Sequence, residues 1–290
     1  MTFFVFITEP HLKYPAEKTK LKTNLTRKDF EPSMIVESSS WQPPTHEALP
    51  AAVALAARSN NGEEQIFCSG VPLRRDLILT AAHCIQEFRN HWPEQTLVVR
   101  AEPGETNTFS VNRWFIHPLF QPTLKANAFD VDIALLSLET SLPEKQTTSE
   151  KLPASSERQT QTLWMKGYSP IRLKTESART ILSTSASWSP LRFEQELASE
   201  GKMHLSSGSA QVAPCSGDSG APVWNFENQT RELKAIVVQG NCAGGKANAV
   251  SVRSLSRWIQ DTTDTLNEHR STLQALWKIF PRRLFAADRN

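Results

Sequence analysis

Short apolar runs, each bounded by polar or turn-forming residues, recur along most of the chain. Twelve of them predict β-strands, at 51–57, 66–68, 77–80, 96–100, 109–116, 132–138, 162–165, 181–188, 202–205, 221–226, 233–239 and 248–252. Many short strands with polar connections are typical of closed β-barrels or β-sandwiches. The pattern therefore predicts an all-β domain.

The regions around these runs have a different character. Residues 8–34 are polar, rich in Lys and Thr and without periodicity, which predicts a pro-segment or a disordered arm. Residues 1–7 are apolar but too short for a complete secretory signal, so a signal peptide is not clear. The polar stretch 140–161 predicts an exposed connection, and residues 254–261 predict a short helix.

Composition excludes several classes of function. A chain of 290 residues with 39% hydrophobic and 21% charged residues is ordinary for a globular protein with a sizeable core. The formal net charge of +2 is too small to predict binding to nucleic acid. The sequence shows no apolar run of bilayer length and no spacing typical of a metal site. We therefore expect neither a metal nor a cofactor.

A serine between two glycines is the most informative local feature. In residues 213–222, Ser219 follows Asp218 and is flanked by Gly217 and Gly220. A hydroxyl becomes a useful nucleophile where the backbone turns sharply and directs N–H groups at a developing negative charge. The two glycines permit such a turn.

Two further segments supply a base and an acid. His83 follows the apolar run 77–80, and Asp132 stands at the start of the apolar run 132–138. An acid at the mouth of a buried strand needs a hydrogen-bond partner. Asp130 is a rival, because residues two apart in a strand face the same side. We prefer Asp132 because it directly precedes the apolar residues.

These segments resemble the trypsin/chymotrypsin-like serine peptidase family. Its three motifs are matched, in the family's order and with similar spacings, by Thr80-Ala-Ala-His-Cys84, Asp132-Ile-Ala-Leu-Leu136 and Gly217-Asp-Ser-Gly220. The resemblance covers residues 35–262. It implies two antiparallel six-stranded β-barrels with the site in the crevice between them, followed by a C-terminal helix. The chain then divides into a segment 1–34, a protease domain 35–262 and an extension 263–290.

The resemblance also implies roles for the motif residues. His83 would accept the Ser219 proton, Asp132 would orient the imidazole, and the N–H groups of Gly217 and Ser219 would form an oxyanion hole. The implied function is a serine endopeptidase that cleaves protein or peptide substrates through an acyl-enzyme. The alternatives are a non-catalytic binding module of the same fold and an interaction protein tethered by its C-terminal helix.

A substrate preference and two departures from the family pattern follow from the same resemblance. The resemblance implies that Ala213 lies at the base of the primary substrate pocket and that Gly240 and Ala249 form its walls. With no carboxylate at the base, we expect an uncharged side chain before the cut bond. Val238 stands where the family has a serine that donates to the acid, and Gln239 stands where it has a tryptophan that lines the substrate subsites.

The four cysteines, at positions 68, 84, 215 and 242, allow three disulfide pairings from sequence alone. The resemblance implies Cys68–Cys84 and Cys215–Cys242, each worth roughly 3–4 kcal/mol in the chain-entropy model. Free buried thiols are the alternative. Disulfides indicate an oxidising compartment, so we expect a secreted or periplasmic protein.

Activation by cleavage of a zymogen is a further implication. In the resembling family, cleavage frees an N-terminal ammonium that pairs with the aspartate before the nucleophile, here Asp218. The usual Ile-Val-Gly-Gly start is absent, and the best match is Ile35-Val36. We therefore expect Ile35 to be the activation residue.

The C-terminal extension has a helical pattern of its own. Leu266, Leu273, Leu276, Trp277 and Phe280 are spaced for one helical face. That face either packs on the second barrel or contacts a membrane surface or a partner protein. We prefer packing.

Overall fold

The computed structural model describes strands and helices in the central and C-terminal parts of the chain. The described residues are 51–101, 107–121, 131–144, 162–168, 171–174, 180–183, 187–197, 201–207, 214–227, 230–241 and 245–279. The predicted pro-segment 1–34, Ile35 and most of the predicted connection 140–161 lie outside them.

Six strands form the first closed barrel. They pair in the order β1–β2–β3–β6–β5–β4, and every pair is antiparallel. The strands are β1 Val53–Arg58, β2 Glu64–Arg74, β3 Leu77–Thr80, β4 Thr96–Arg100, β5 Thr108–Ile116 and β6 Ala134–Leu138.

Eight strands lie among the described residues of the second half of the chain. They are β7 Thr162–Gly167, β8 Ile171–Lys174, β9 Thr180–Ser183, β10 Ser187–Leu197, β11 Lys202–Ser206, β12 Pro222–Glu227, β13 Thr230–Asn241 and β14 Lys246–Ser251. Six of them close a second antiparallel barrel in the order β10–β11–β14–β13–β12–β7, while β8 and β9 form a separate pair. The expected all-β fold with two antiparallel six-stranded barrels is confirmed.

Strand β1 shows why these runs are apolar without alternation. Val53, Leu55 and Ala57 belong to the main core cluster, whereas Ala54 on the opposite face packs with Tyr168. A strand buried on both faces is apolar at successive positions. The phenolic hydroxyl of Tyr168 donates to the carbonyl of Ala52 at 3.1 Å. Tyr168 directly follows β7 of the second barrel, so this side chain links the two barrels.

A helix that sequence reasoning missed follows β3. Helix α1 spans Ala82–His91, and its buried residues include Ala82, Ile85 and Phe88. The spacing of three residues between them is a helical signal that lies within the His motif and the residues after it. A second difference concerns the predicted strand 181–188, which divides between the end of β9 and the start of β10.

Residues 256–279 form one continuous helix. Helix α2 spans Ser256–Ile279, so the predicted short helix and most of the predicted extension are a single element. Ile259 and Leu266, seven residues apart on one face, are buried in the core cluster that contains the first barrel. Asn267 accepts a hydrogen bond from Arg74 of β2 at 2.6 Å. The helix therefore also contacts the first barrel, which the prediction of packing on the second barrel missed.

The outer part of α2 carries the remaining apolar positions of the predicted face. The side chains of Leu273, Leu276 and Trp277, and residue Phe280, lie outside the described part of the chain. No helix among the described residues has the length and apolar character that a membrane span requires.

Candidate active site

The first barrel brings His83 and Asp132 together, because β3 and β6 are neighbouring strands. His83 lies in the first turn of α1, and Asp132 lies two residues before β6. Oδ1 of Asp132 accepts from the backbone N–H of His83 at 2.8 Å, and Oδ2 lies 2.6 Å from the His83 Nδ1. Asp132 is 0% exposed, and within the described residues both of its donors belong to His83. The two bonds fix the imidazole relative to a buried carboxylate.

Two further positions, Asp130 and Val238, bear on the surroundings of Asp132. Asp130, the rival carboxylate, lies outside the described residues. Val238, which stands where the resembling family has a serine, is buried in the apolar core cluster. Because valine has no hydroxyl, it supplies no donor to Asp132.

The surroundings of His83 change its acidity. Burial lowers the pKa of His83, but the hydrogen bond and charge of Asp132, together with the charge of Glu87, more than offset this. The pKa of His83 therefore lies above its ordinary value of 6.5. Glu87 stands four residues after His83 on α1, and residues at that spacing are neighbours on a helix surface.

The loop around Ser219 turns through glycines with positive φ. Gly217 has φ 98° and Gly220 has φ 85°, values that side chains disfavour. A Cβ on Gly220 would also overlap the carbonyl oxygen of Ser69 and the hydroxyl of Thr80. Glycine at this position therefore meets two needs, the turn and the close approach of the first barrel.

Along this loop, N–H groups that donate a hydrogen bond alternate with N–H groups that do not. The N–H of Asp218 donates to Cys215 O at 3.0 Å, and the N–H of Gly220 donates to Val237 O at 2.7 Å. Within the described part of the chain, the N–H groups of Gly217 and Ser219 have no hydrogen-bond acceptor. These are the two donors that the sequence predicts for an oxyanion hole.

Ser219 lies beside the histidine without a hydrogen bond to it. The carbonyl of Ser219 accepts from Ser69 N at 2.7 Å and lies 3.7 Å from the sulfur of Cys84, the residue after His83. No hydrogen bond joins the Ser219 hydroxyl to His83 in the described structure. Such bonds are often long in unliganded sites and tighten when substrate binds.

Asp218, next to the nucleophile, is buried. Its Oδ2 accepts from the N–H of Cys215 at 2.9 Å. Its Oδ1 lies so close to Gly167 that a Cβ there would overlap it. The carboxylate thus lies between the loop and β7, and its expected partner Ile35 is outside the described residues.

The predicted pocket residues are separated by the strand register. Gly240 on β13 pairs with Ala247, whereas Ala249 pairs with Val237 and is buried in the core of the second barrel. A one-residue irregularity between Val237 and Gln239 places Ala247, rather than Lys246, opposite Gly240. Ala247 is therefore the small residue opposite Gly240, a position that sequence reasoning missed.

Gly240 lies very close to the segment that precedes Cys215. A Cβ on Gly240 would overlap the backbone carbonyl of Pro214, the residue before Cys215. Glycine is required here because any side chain would collide with that backbone. Ala213, the predicted pocket base, lies outside the described residues.

A disulfide joins Cys68 to Cys84, as predicted. It connects β2 to the first turn of α1 and so supports the position of His83. The sulfurs lie within 4.8 Å of a nitrogen of His83, but because they are bonded to each other they provide no thiolate ligands for a metal ion. Cys215 is also disulfide-bonded, and its expected partner Cys242 lies outside the described residues.

Comparison with known proteins agrees with this architecture. Residues 39–259 match the family model described as Trypsin. The chain belongs to the trypsin family. Membership of this family explains both the three sequence motifs and the two barrels, because its members share one fold.

Individual relatives in this family are distant. The chain is 25% identical over 219 residues to the kallikrein 1-related peptidase b22 of Mus musculus, covering 69% of this chain and 81% of that protein. It is 31% and 33% identical to the tissue-type plasminogen activators of Sus scrofa and Bos taurus. Those matches cover 38% and 36% of this chain, and only 19% and 17% of the two activators.

Proposed function

We propose that this trypsin-family chain is a serine endopeptidase that hydrolyses peptide bonds through an acyl-enzyme. The observation that carries the proposal is the pairing of His83 with a fully buried Asp132 at 2.6 Å, beside the loop that presents Ser219. A histidine oriented by a buried carboxylate next to a serine is the arrangement of a catalytic triad.

The chemistry follows from these positions. His83 takes the proton of Ser219 through Nε2 as the hydroxyl oxygen attacks the substrate carbonyl, and Asp132 stabilises the imidazolium that forms. The unused N–H groups of Gly217 and Ser219 stabilise the tetrahedral oxyanion. Loss of one such donor typically costs about 10²–10³-fold in turnover. His83 then protonates the leaving amine, and water hydrolyses the acyl-enzyme by the same route in reverse.

A fluorophosphonate probe tests the proposal, because it reacts with an activated serine. Labelling at Ser219 supports an enzyme. Absence of labelling, in both the full chain and a form cleaved before Ile35, favours the alternative of a binding module with the protease fold. Both forms are needed because cleavage at Ile35 is part of the proposal.

The proposed enzyme should show a pH dependence that reflects His83. The imidazole accepts a proton only when neutral, and its pKa is raised above 6.5. We therefore expect kcat/KM to rise with pH through a midpoint above 6.5. Glu87→Gln removes a charge that raises the pKa of His83, so it should move the midpoint to lower pH.

Glu94→Gln provides the matched control for this measurement. It removes the same charge from the turn just after α1 and should leave the midpoint unchanged. A wild-type midpoint at or below 6.5, or equal shifts in both variants, contradicts the proposed contribution of Glu87 to the pKa of His83.

Activation through Ile35 remains part of the proposal. Asp218 is buried, and a buried carboxylate is stabilised when a cation reaches it. An ammonium created at Ile35 would provide that cation. The family membership supports this route, in which the full chain is a zymogen.

The compartment of the proposed enzyme follows from its disulfide. Cys68–Cys84 is expected to persist in an oxidising environment. We infer a secreted or periplasmic protein that acts on protein or peptide substrates.

Substrate preference is proposed from the pocket walls. Gly240 and Ala247 stand opposite each other, and Ala213, the proposed base, directly precedes Pro214, whose carbonyl lies close to Gly240. None of these residues carries a charge, so a lysine or arginine side chain would lose hydration without gaining a partner. An uncharged side chain is therefore preferred before the cut bond.

A polar chain beside the pocket adds a second element of preference. His204, Asn248 and Gln239 stand opposite one another on β11, β14 and β13. His204 Nδ1 bonds to Asn248 Oδ1 at 2.8 Å, and Asn248 Nδ2 donates to Gln239 Oε1 at 2.8 Å. No described residue accepts from the Gln239 amide N–H groups. We infer that they bind substrate residues that carry a hydrogen-bond acceptor.

A peptide library measures both preferences. We expect selection of uncharged residues directly before the cut bond, and of acceptor side chains such as glutamine at another position near it. In Gln239→Leu the second preference should disappear while the first stays. Strong selection for Arg or Lys before the cut bond contradicts the proposed pocket, and an unchanged profile in Gln239→Leu contradicts the role of the amide.

A further inference from the structure

Ser69 lies at the contact between the first barrel and the loop that carries the proposed nucleophile. It stands on β2, is fully buried and follows the disulfide-bonded Cys68. Its hydroxyl donates to the carbonyl of Gly217 at 2.8 Å and accepts from the N–H of Tyr168 at 3.0 Å. Because the N–H of Tyr168 can only donate, the hydroxyl proton of Ser69 is directed to Gly217.

The main chain of Ser69 makes two more hydrogen bonds. Its N–H donates to the carbonyl of Ser219 at 2.7 Å, and its carbonyl accepts from the hydroxyl of Thr80 at 2.7 Å. Tyr168 is itself anchored, since its phenol donates to the carbonyls of Ala52 and Ala101. Ser69 thus contacts the loop from a position that neighbouring strands hold in place.

These contacts fix alternate peptide groups of the loop at both ends. The peptide between Gly217 and Asp218 is held at its carbonyl by Ser69 and at its N–H by Cys215. The peptide between Ser219 and Gly220 is held at its carbonyl by Ser69 and at its N–H by Val237.

The free N–H groups belong to the intervening peptides. The N–H of Ser219 is in the peptide after Asp218, whose carbonyl accepts from Ala221 at 2.9 Å. The N–H of Gly217 is in the peptide before the one that Ser69 holds. Only the φ and ψ rotations of Gly217 separate those two planes, and glycine restrains its own rotation less than any other residue. The Ser69 hydroxyl therefore restrains a position where the chain is otherwise permissive.

We propose that Ser69 is a positioning residue that orients the proposed oxyanion-hole backbone through its hydroxyl. The expected effect on turnover rests on the proposed peptidase function. The expected effect on the loop backbone rests on the hydrogen bonds alone. It assigns a role in turnover to a side chain whose described hydrogen bonds go to Gly217 and Tyr168 and not to His83 or Asp132.

Ser69→Ala tests the proposal in the full chain and in the form cleaved before Ile35. Loss of one neutral hydrogen bond corresponds to about a 5- to 10-fold change in an equilibrium or rate constant. We expect kcat to fall by about that factor with little change in KM. Binding of a peptidyl boronic acid, which forms a tetrahedral adduct, should weaken in parallel. Ser69→Thr keeps the hydroxyl and should recover most of the lost kcat.

Ser137→Ala is the matched control, because it removes the hydroxyl of another buried serine in the first barrel. If the role of Ser69 is purely structural, both alanine variants should lower the melting temperature, and their kcat values should be equal. That result overturns the proposal, as does a Ser69→Ala effect confined to KM.

Hydrogen exchange separates this proposal from the peptidase function. In Ser69→Ala, the hydrogen-bonded amides of Asp218 and Gly220 should exchange faster than in Ser137→Ala, whether or not the protein cleaves peptides. A chain that is neither labelled nor active overturns the peptidase function, and exchange then decides the structural part. Equal exchange in the two variants overturns the positioning role.

Discussion

Replacing Ser219 by alanine is expected to lower turnover by about 10⁶-fold, the size of loss measured for the nucleophile of another serine protease. The hydroxyl is the atom that forms the acyl-enzyme, and no neighbouring group can replace it on the loop that Ser69 and Val237 hold. KM should change little, because the substrate pocket is untouched. The measurement is kcat on a peptide substrate together with fluorophosphonate labelling.

Ser216→Ala is the control for this variant. Ser216 lies three residues before Ser219, on the exposed part of the same loop. It should retain labelling and most of the activity. Equal labelling of wild type and Ser219→Ala assigns the reactive serine elsewhere, and loss of activity in both variants assigns the effect to the loop as a whole.

Asp132→Asn is expected to lower kcat by about 10⁴-fold, the loss known for this change in a serine protease triad. The carboxylate accepts from both the backbone N–H and Nδ1 of His83. An amide of the same shape would donate at one of these positions, which favours the wrong imidazole tautomer and removes the charge that stabilises the imidazolium. Since the side chain is isosteric, the fold should persist.

Asp261→Asn controls for loss of a carboxylate as such. Asp261 lies on an exposed part of α2, within 3.9 Å of Arg257, and its replacement should leave kcat unchanged. Circular dichroism and melting temperature establish that both variants fold. Activity of Asp132→Asn within 10-fold of wild type removes Asp132 from the proposed mechanism.

The valine at position 238 bears on the expected effect of Asp132→Asn. In the described structure the two donors to Asp132 both come from His83, and valine supplies none. The carboxylate therefore depends on the histidine it orients. This mutual dependence is the physical reason to expect a large effect from either partner.

The sequence determined the strand content and the identity of the candidate triad. Strand β6 is buried throughout and β1 is buried up to its last residue, Arg58, so both are mainly apolar whatever their neighbours are. The three motifs can be recognised from short stretches of sequence. The sharp turn around Ser219, for example, needs Gly217 and Gly220 because of its own backbone conformation, independently of distant residues. The cysteine pair Cys68–Cys84 could be assigned through the family resemblance.

Elements set by competing local and distant interactions were less predictable. Helix α1 was missed because its apolar positions Ile85 and Phe88 occur among residues that also fit a loop, and burial against the first barrel selects the helix. The continuous helix α2 was predicted in two parts, since neither part shows from sequence that Asn267 reaches Arg74.

Only the tertiary structure decided which residues face each other across strands and barrels. Ala247 stands opposite Gly240, whereas the predicted wall residue Ala249 pairs with Val237, three residues earlier in β13. A one-residue irregularity between Val237 and Gln239 places Ala247 rather than Lys246 opposite Gly240, and a shift of one residue reverses the face of a side chain. Ser69 gains its significance from Gly217, which lies 148 positions away in the chain. A hydrogen bond between such distant residues depends on barrel closure, and no local pattern of hydrophobic and polar residues encodes it.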